Sequence, residues 1–509
     1  MTSANDILDL FMSEEEEKVN KPIIVSKKIL TNNTKKKLLK YQEQAVLDTV
    51  RIASTKRICL NLSDTGVGKT YIAAATCKEL GRRPLVICPK TLMPNWLNVL
   101  EYFDVEPFDV VNYDTLRNGK CYKDHSFKNR KKCTYFTNTN QNNGPTPYAY
   151  DWNLPADAIV IIDEAHKCKE SSTYNGKMLV STKQLIDQGF PVLLLSATIC
   201  EKIADMKIPL FLFGEIKSLR DFKSYSNNLR NRTRNIKKRN YINEKDYEIA
   251  KENAQAIIIH DIIKEQTVRI KIKDLGNQFP ENQLCAQQFS VDDSDAISAA
   301  YEEIAELMKE LRANPGQGHL GKIQKIKQEI ELRKVPIFIE QAQLYIDENK
   351  SVIIFVNYIK PLELIAEQLG IRCKIYGKQT LEQRLEAMRL FQSNEERIII
   401  CQSRAGGVGI DLHDVNGNHP RVSLINYPDN ASDLLQNIGR AYRAGGKSPV
   451  LQRIIFAANV DYEKQIMKNI NKKLANISAI NDGDLDGYKY DVKRITRRRV
   501  KKRSSKKKE

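Results

Sequence analysis

The chain has 509 residues and carries 81 Lys and Arg against 63 Asp and Glu, a formal net charge of +18. This length exceeds what one hydrophobic core fills, so we expect at least two domains, and the 41% hydrophobic content excludes a chain that is disordered throughout. No apolar run approaches the roughly 20 residues of a membrane helix, which predicts an intracellular protein with no membrane partner.

Short apolar runs, each bounded by Gly, Pro, Asp or Asn, predict two series of strands that alternate with helices. The first series is at 58–62, 85–88, 158–163 and 192–197, and the second is at 351–356, 397–401, 422–427 and 453–458. Continuous apolar strands separated by helices are typical of parallel sheets covered on both faces. The sequence therefore predicts two α/β lobes.

Between these series, charged segments such as SAAYEEIAELMKELRA have apolar positions three and four residues apart, which predicts a helical insertion. The predicted division of the chain has five parts. They are a disordered acidic leader at 1–34, a first lobe at 35–215, a helical, basic insertion or linker at 216–340, a second lobe at 341–480 and a basic tail at 481–509.

The positive charge is concentrated in two segments. Residues 217–239 hold nine Lys or Arg and one Asp, and residues 493–508 hold eleven basic residues in sixteen. Such segments predict a nucleic-acid partner, because neutralising phosphates releases condensed counterions. For the C-terminal block, a solvated tail or a nuclear address is an equal alternative.

The ten cysteines follow no repeating spacing, and we expect reduced, buried thiols. Cys121, His125 and Cys133 lie in an irregular polar segment at 117–153. Their unpaired spacing is weak support for a zinc site, which stays an open alternative.

The strongest local motif is LSDTGVGKT, residues 62–70, between a predicted strand and a predicted helix. A strand, a glycine turn and a helix N-terminus together present backbone amides and a positive dipole end to phosphate. Gly66 and Gly68 allow close approach, Lys69 reaches the β- and γ-phosphates, and the Thr70 hydroxyl binds Mg²⁺. The motif predicts an ATP site, although Ser63 stands where the general pattern has Gly.

A second motif, IVIIDEAHK at 159–167, ends a buried strand in two carboxylates. We expect Asp163 to hold Mg²⁺ and Glu164 to position or deprotonate water, because strand C-termini in a parallel sheet face the ligand crevice. In isolation, the same dipeptide would be interpreted as a helix N-cap.

Four motifs resemble, in order and spacing, those of superfamily 2 helicases: DEAH at 163–166, SAT at 196–198, AGGVGIDL at 405–412 and QNIGRAYR at 436–443. Others resemble the Snf2-like branch: LLKYQEQAV at 38–46, VICPKTLMPNW at 86–96, NYDTL at 112–116 and the segment 262–301. SAT departs from the Thr-Gly-Thr usual in that branch. The combination is similar to helicases of large cytoplasmic DNA viruses, including poxvirus-like transcript-release and termination helicases.

The resemblance covers about residues 38–470 and implies two RecA-like lobes that close over ATP. It also implies roles for single residues. Gln42 would read adenine, and Lys90 and Asn95 would face the nucleic-acid backbone. Ser196 and Thr198 would couple hydrolysis to lobe movement. A loop beside ATP would be shaped by Gly406, Gly407 and Gly409, and Asp411 would face the nucleotide.

Arg440 and Arg443 are expected to supply the cation that the phosphate loop and carboxylates lack. An arginine finger stabilises the charge that develops on the γ-phosphate. Three residues apart on a helix, the two would share one face with Gln436 beside them, and would reach ATP when the lobes close. We expect Arg443 to be the finger and Arg440 its phosphate-binding companion. In isolation, the segment would be interpreted as a surface helix with a glycine C-cap.

These observations predict an ATP-dependent helicase or translocase that acts on DNA or RNA, with the transcription machinery as a candidate partner. The alternative is a non-motor nucleic-acid-binding scaffold or transcription factor subunit with a structural ATP site. The expected location is the nucleus, or a virion or cytoplasmic factory if the protein is viral.

Overall fold

The computed structural model describes residues 29–139, 148–199, 201–233, 244–276, 279–313, 318–406, 410–482 and 491–495. The chain divides into two compact units. The first comprises Met1–Phe279 with Asn471–Tyr488, and the second comprises Pro280–Ile470 with Lys489–Glu509. Among the described residues, no helix combines the length and the apolar character that crossing a membrane would require.

The described part of the first unit contains ten strands. They are β1 (Ile58–Asn61), β2 (Arg83–Cys88), β3 (Asp109–Asn112), β4 (Lys120–Tyr122), β5 (Arg130–Lys132), β6 (Phe136–Asn138), β7 (Tyr150–Trp152), β8 (Ala158–Asp163), β9 (Val192–Leu195) and β10 (Thr267–Val268). Six of them form one parallel sheet in the order β10-β1-β9-β8-β2-β3, while β4–β5 and β6–β7 are separate antiparallel pairs.

The α-helices of the first unit alternate with these strands. They are α1 (Asn32–Lys36), α2 (Lys40–Thr55), α3 (Lys69–Leu80), α4 (Met93–Tyr102), α5 (Tyr113–Arg117), α6 (Tyr174–Ser181), α7 (Lys183–Asp187), α8 (Lys207–Phe213), α9 (Phe222–Arg232) and α10 (Glu244–Ile263). Strands β1, β8 and β9 are buried along their whole length, as strands covered on both faces must be.

The second unit is built on a seven-stranded parallel sheet with the order β13-β14-β12-β15-β16-β11-β17. Its strands are β11 (Asn282–Phe289), β12 (Ser351–Val356), β13 (Cys373–Ile375), β14 (Ile398–Gln402), β15 (Arg421–Asn426), β16 (Val450–Ala457) and β17 (Asp491–Ile495). Its helices are α11 (Ser294–Ala313), α12 (His319–Asp347), α13 (Ile359–Leu369), α14 (Leu381–Gln392), α15 (Ser403–Gly406) and α16 (Ala431–Ala441). A last helix, α17 (Asp461–Asp482), continues from residues of the second unit into residues of the first.

The predicted fold class is confirmed, because each α/β unit is built on a parallel sheet and all eight predicted strands are present. The helical interpretation of SAAYEEIAELMKELRA, residues 298–313, is also confirmed, because α11 spans Ser294–Ala313. The units nevertheless divide the chain at Phe279, so β11, which lay inside the predicted insertion 216–340, belongs to the second sheet.

The two predicted ends of the chain differ partly from the structure. Residues 1–28 of the predicted leader lie outside the described residues, whereas α1 begins at Asn32, inside the range predicted to be disordered. Within the predicted tail, the end of α17 packs in the first unit, and β17 pairs in parallel with β11. The remaining tail residues, 483–490 and 496–509, lie outside the described residues.

Candidate active site

Three of the motifs follow neighbouring strands of the first sheet. Strand β1 ends at Asn61, β9 at Leu195 and β8 at Asp163, and these three residues are in register across the sheet. Because all these strands run in parallel, the phosphate loop, the DEAH motif and the SAT motif leave the sheet at the same edge. This edge is the candidate nucleotide site.

Lys69 begins helix α3, and its ammonium group folds back over the phosphate loop. Its Nζ donates hydrogen bonds to the carbonyl oxygens of Ser63 at 2.8 Å and Asp64 at 3.1 Å. Burial, partly offset by the negative charges of Glu164 and Asp163, lowers the pKa of Lys69 to about 8. Because its present partners are neutral carbonyl groups, exchanging them for phosphate oxygens adds the attraction between opposite charges.

Gln42 supports the phosphate loop from helix α2. Its side chain is buried; Nε2 donates to the Val67 carbonyl oxygen at 2.8 Å, and Oε1 accepts from the backbone amide of Leu39 at 3.0 Å. Gly68 has a φ of 88°, and a Cβ atom there would overlap the Gln42 side-chain amide. Both the backbone conformation and the close approach of Gln42 therefore require glycine at this position.

Asp163 is a buried carboxylate held in one orientation by hydrogen bonds. Trp96 Nε1 donates to its Oδ2 at 2.9 Å, the Glu164 amide donates to its Oδ1 at 3.0 Å, and the Tyr113 hydroxyl donates to its backbone carbonyl at 2.6 Å. Burial and the adjacent Glu164 raise the pKa of Asp163. Two carboxylates in a buried position form a donor set that suits a hard cation such as Mg²⁺.

Glu164 is connected to the SAT motif through His166. His166 Nδ1 lies 3.3 Å from Glu164 Oε2 and 3.1 Å from Ser196 Oγ, and Ser196 Oγ also accepts from the Thr198 amide at 3.2 Å. Burial lowers the pKa of His166 to about 4, so this imidazole is neutral near pH 7. Hydrogen bonds therefore join His166 of the acidic motif to Ser196, and Ser196 to Thr198, while Glu164 lies close to the same imidazole.

The backbone at Glu164 is strained. Its φ of 58° puts a residue with a long side chain in the left-handed region, which costs about 1 to 3 kcal/mol. This turn lies directly after β8 and begins the short 3₁₀ helix Ala165–Cys168. The strain is therefore located at the residue expected to act on water.

Lys90 and Asn95 lie on the turn that follows β2, in the 3₁₀ helix Lys90–Leu92 and in α4. Both side chains are exposed, while the neighbouring Trp96 is buried beneath them. They are accessible to a partner, as a nucleic-acid contact would require.

The structure corrects the expected placement of the two arginines. Arg440 lies in the last turn of α16, but the helix ends at Ala441 and Tyr442 has a ψ of 99°, so Arg443 is not on the same helical face. The two guanidinium groups still converge, because Arg440 Nη1 and Arg443 Nη2 both donate to the Ile410 carbonyl, at 3.3 Å and 3.4 Å.

Arg443 also pairs with Asp411, with 2.8 Å between Nη1 and Oδ1. Arg440 is buried at 4% exposure, whereas the Asp411 side chain is 55% exposed. Gln436 is buried on α16, one turn before Arg440. The structure thus brings together Gln436, both arginines and Asp411 within the second unit.

The glycine loop of the second unit is only partly described. Gly406 ends helix α15, whereas Gly407 and Gly409 lie outside the described residues. The basic segment 217–239 is described as far as Thr233, and its exposed Lys223, Arg230 and Arg232 lie on α9.

The nine cysteines that the structure describes are free and buried, as expected. Cys121 and Cys133 are among them, but His125 is exposed. In the described part of the chain, no group of three or more His, Cys, Asp or Glu side chains is arranged to hold a metal ion.

Sequence patterns missed several residues that shape the site. Trp96 and Tyr113 were quoted only as parts of motifs, and their contacts to Asp163 had no signal of their own. His166 was part of the DEAH signature, which could have suggested its contact with Ser196. Arg269, which contacts the phosphate loop, lies in the segment 262–301 that resembles the Snf2-like branch, but nothing in that segment singled it out.

Comparison with known proteins identifies the family. The family described as "Type III restriction enzyme, res subunit" matches residues 35–201, and "Helicase conserved C-terminal domain" matches residues 333–445. A protein of Acanthamoeba polyphaga mimivirus, named "Putative ATP-dependent RNA helicase L364", is 56% identical over 497 residues, which cover 97% of this chain and 93% of that protein. The chain belongs to the superfamily 2 helicases.

Other similar proteins match over shorter lengths or at lower identity. ATP-dependent RNA helicase DRS1 of Candida glabrata is 28% identical over 148 residues, which cover 28% of this helicase and 18% of DRS1. Among solved structures, S. cerevisiae Dbp5 bound to RNA and ADP BeF3 is 13% identical, and the match covers 92% of this chain and 94% of the Dbp5 chain with a TM-score of 0.45.

Membership of this family makes the chain an ATP-dependent helicase and confirms the predicted enzyme class. The phosphate loop, the paired carboxylates and the SAT turn at one edge of the first sheet are therefore interpreted as its ATP site. The arrangement offers amides and an ammonium group for phosphate, buried carboxylates for a cation, and a carboxylate for water.

Proposed function

We propose that this helicase acts on RNA and uses ATP with Mg²⁺ to separate or remodel RNA strands. The observation that carries the proposal is the mimivirus relative, which is named as an RNA helicase and shares 56% of residues along almost the whole chain. His166 is hydrogen-bonded to Ser196 and lies 3.3 Å from Glu164, and it supports a working ATPase because it links the acidic motif to the SAT turn.

The residues of the first unit would bind the nucleotide. Gly66, Gly68 and the amides at the start of α3 would hold the phosphates, with Lys69 exchanging its carbonyl partners for the β- and γ-phosphates. Gln42, which now holds Val67, would read the adenine. Its support of the loop would then link recognition of the base to the position of the phosphates.

Thr70 and Asp163 would hold Mg²⁺, which when bound neutralises charge on the phosphates. The donor set fits this ion, because Asp163 and Glu164 place two carboxylates side by side, and burial together with the adjacent Glu164 raises the pKa of Asp163. Trp96 keeps the Asp163 carboxylate oriented.

Hydrolysis would then depend on residues of both units. Glu164 would orient the attacking water and accept its proton, since its side chain extends from the strained turn after β8. Arg443 would stabilise the charge that develops on the γ-phosphate, with Arg440 and Gln436 beside it. Gly409 and Asp411 would face the nucleotide. Asp411 would pair with Arg443 until a phosphate replaces it.

Ser196 and Thr198 would transmit the state of the ATP site to the grip on RNA. Lys90 and Asn95, exposed on the turn after β2, would contact its backbone, and the exposed basic residues of α9 would add charge. Such contacts are mostly electrostatic, so binding should weaken steeply as salt rises and depend little on base sequence.

The finer assignments are also proposals. The opening motif around Gln42 and the joining segment favour the Snf2-like branch, whereas the SAT motif is more typical of true helicases, and this combination resembles the viral helicases. The mimivirus relative supports a viral setting and hence a cytoplasmic factory or virion. A role beside transcription machinery, and action on DNA, rest on these resemblances alone.

The experiment that tests the proposal is strand separation on matched duplexes. Wild-type protein, ATP and Mg²⁺ are given an RNA duplex or a DNA duplex of the same sequence, each with a single-stranded end. We expect the RNA duplex to be separated faster, and Glu164→Gln protein to separate neither. Preference for the DNA duplex would overturn the RNA assignment and favour the Snf2-like one.

The other function that the sequence allowed is a non-motor scaffold with a structural ATP site. Membership of the helicase family disfavours it, and so do the buried contacts that keep Asp163 and Glu164 in place. The same assay separates the two, because a scaffold would bind both duplexes without separating either in the presence of ATP.

A further inference from the structure

The end of helix α17 packs against the nucleotide edge of the first unit. Residues 471–488 group with that unit, and within α17 the side chains of Leu474, Ile477 and Ala479 are buried. Asn481 and Asp482, the last two residues of the helix, are close to the ATPase motifs. These residues lay at the boundary between the second lobe and the basic tail in the sequence interpretation.

Asn481 contacts the SAT motif directly. Its side chain is 4% exposed, and Nδ2 donates to the carbonyl oxygen of Ala197 at 2.9 Å. Ala197 stands between Ser196 and Thr198, the two predicted coupling residues. A buried amide bonded to this carbonyl fixes the backbone of the turn that presents both hydroxyl groups.

Asp482 contacts the phosphate loop through Arg269. The carboxylate accepts two hydrogen bonds from Arg269, from Nε at 2.6 Å and from Nη2 at 3.1 Å, and Lys271 Nζ lies 3.3 Å from the same carboxylate. The opposite side of the guanidinium donates from Nη1 to Asp64 Oδ1 and to the Leu62 carbonyl, both at 2.6 Å. Arg269 thus joins the C-terminal helix to the first residues of the loop.

The segment around Arg269 also runs along the loop through its backbone. The Asp64 amide donates to the Ile270 carbonyl at 3.0 Å, the Ile270 amide donates to Ser63 Oγ at 3.0 Å, and the Ile272 amide donates to Asp64 Oδ2 at 2.8 Å. Asp64 is therefore held on three sides. The loop residues Ser63 and Asp64 are the ones whose carbonyl oxygens hold Lys69.

The side chains of Asp64, Arg269 and Asp482 form a largely buried cluster in which the arginine lies between the two carboxylates. Exposed fractions are 16% for Arg269, 12% for Asp64 and 8% for Asp482. A planar guanidinium can bond two carboxylates at once in a fixed geometry, which a lysine cannot do. Removing Asp482 would leave Arg269 with one carboxylate, and removing Arg269 would leave two buried carboxylates without their shared partner.

From this geometry we propose that Arg269, Asp482 and Asn481 form a clamp that positions the phosphate loop and the SAT turn for ATP hydrolysis. All three are positioning residues, because none of them occupies a motif position that touches the nucleotide. Arg269 and Asp482 fix the position of the loop that holds Lys69. Asn481 fixes the position of the turn that carries Ser196 and Thr198. The proposal rests on the ATPase activity of the family and assigns a role in it to the end of α17.

In steady-state kinetics of ATP hydrolysis by the full-length protein, the two sides of the clamp should affect different constants, KM for one side and kcat for the other. Asp482→Asn keeps the size of the side chain but removes its charge, so we expect KM for ATP to rise roughly tenfold with a smaller change in kcat. Asp482→Glu, which keeps the carboxylate, should recover part of this loss. Asn481→Ala should leave KM near the wild-type value and lower kcat in the presence of RNA by several-fold.

The same helix provides a matched control. Lys472 pairs with Glu252 of α10, with 2.7 Å between Nζ and Oε2, and this exposed pair reaches neither motif. Lys472→Ala removes a contact of the same helix end, and we expect KM and kcat to stay within about twofold of wild type. Thermal unfolding of every variant shows whether the helix still packs.

The outcomes distinguish failure of the clamp from failure of the ATPase assignment. If wild type hydrolyses ATP and folded Asp482→Asn and Asn481→Ala match it in both constants, the clamp is wrong and the helix end is only structural. Equal losses in Lys472→Ala would overturn it in the same way. If wild type itself shows no hydrolysis with or without RNA, it is the proposed function that fails.

Discussion

The nucleotide edge of the first unit and the arginine cluster of the second hold their charges in opposite ways. In the first unit, Asp163 is buried and held by Trp96 and its own chain neighbours, and burial, reinforced by the adjacent Glu164, raises its pKa. In the second, Arg443 is paired with an exposed carboxylate of its own unit, Asp411.

This difference suggests how easily each group can change partners. Because Asp411 is exposed to solvent, which screens the pair, Arg443 can exchange Asp411 for a phosphate at a lower cost than a fully buried pair would impose. The hydrogen bonds of buried Asp163 are costly to break, because an unsatisfied buried carboxylate keeps its desolvation penalty. We therefore expect the first unit to be a preformed binding site and the second to supply a releasable catalytic charge.

The largest expected effect is that of removing this releasable charge. Arg443→Ala should lower the single-turnover rate of ATP hydrolysis by roughly 10³ to 10⁵, because it removes the cation for the developing phosphate charge. ATP affinity, measured by equilibrium binding, should stay close to wild type. A variant that hydrolyses ATP normally would show that the arginine cluster is not catalytic.

The next largest effect concerns the preformed site. Glu164→Gln should lower the rate roughly 10² to 10⁴-fold while ATP stays bound, because the amide cannot accept the proton of water. Lys69→Ala should instead lose ATP binding itself, since the ammonium group over the loop is removed. If both variants lost binding alike, the division between binding and chemistry within the first unit would not hold.

A third prediction concerns the stability of the first unit towards acid. Burial, opposed by Glu164 and Glu201 and reinforced by Lys167 and Lys169, lowers the pKa of His166 to about 4, against about 6.5 in an unfolded chain. Between these values the unfolded chain binds more protons, so the free energy of unfolding falls as pH is lowered through this window.

The fall attributable to His166 is roughly 3 kcal/mol between pH 6.5 and pH 4. Urea unfolding at several pH values should therefore show a shallower acid dependence for His166→Asn than for wild type. Parallel profiles for the two proteins would mean that His166 is already charged in the folded state.

The smallest predicted effect tests whether Gln42 only supports the phosphate loop or also reads the base. Gln42→Ala removes the hydrogen bond to the Val67 carbonyl and the proposed contact with adenine, so KM for ATP should rise about two- to tenfold. KM for GTP is the matched comparison. If both nucleotides weaken equally, Gln42 only supports the loop; if only ATP weakens, it reads the base.

Much of the nucleotide edge could be predicted from local sequence. The apolar runs gave β1, β8 and β9, and the polar residues that follow each strand had to meet at one edge because parallel strands end together. The motif at Lys69 required a loop before a helix, and α3 begins at that residue. These inferences needed only strand direction and residues close in the chain.

Contacts between distant residues could not be predicted. Arg269 and Asp482 are separated by 213 positions, and no periodic pattern relates them. The wrong prediction that Arg443 lies on the helix has a different cause. Periodicity extends a predicted helix until a strong stop signal such as the Gly-Gly pair, but the helix ends earlier, at Ala441, because the backbone of Tyr442 is extended. The convergence of both arginines on Ile410 depends on tertiary packing that local sequence does not specify.

The most direct test of the account is ATP turnover by wild-type protein with no nucleic acid, with single-stranded RNA, and with single-stranded DNA of the same sequence. We predict turnover that requires Mg²⁺, rises most with RNA, and disappears in both Glu164→Gln and Arg443→Ala. Turnover that no nucleic acid stimulates, or that survives in Arg443→Ala, would contradict an ATPase whose binding site and catalytic charge lie in different units.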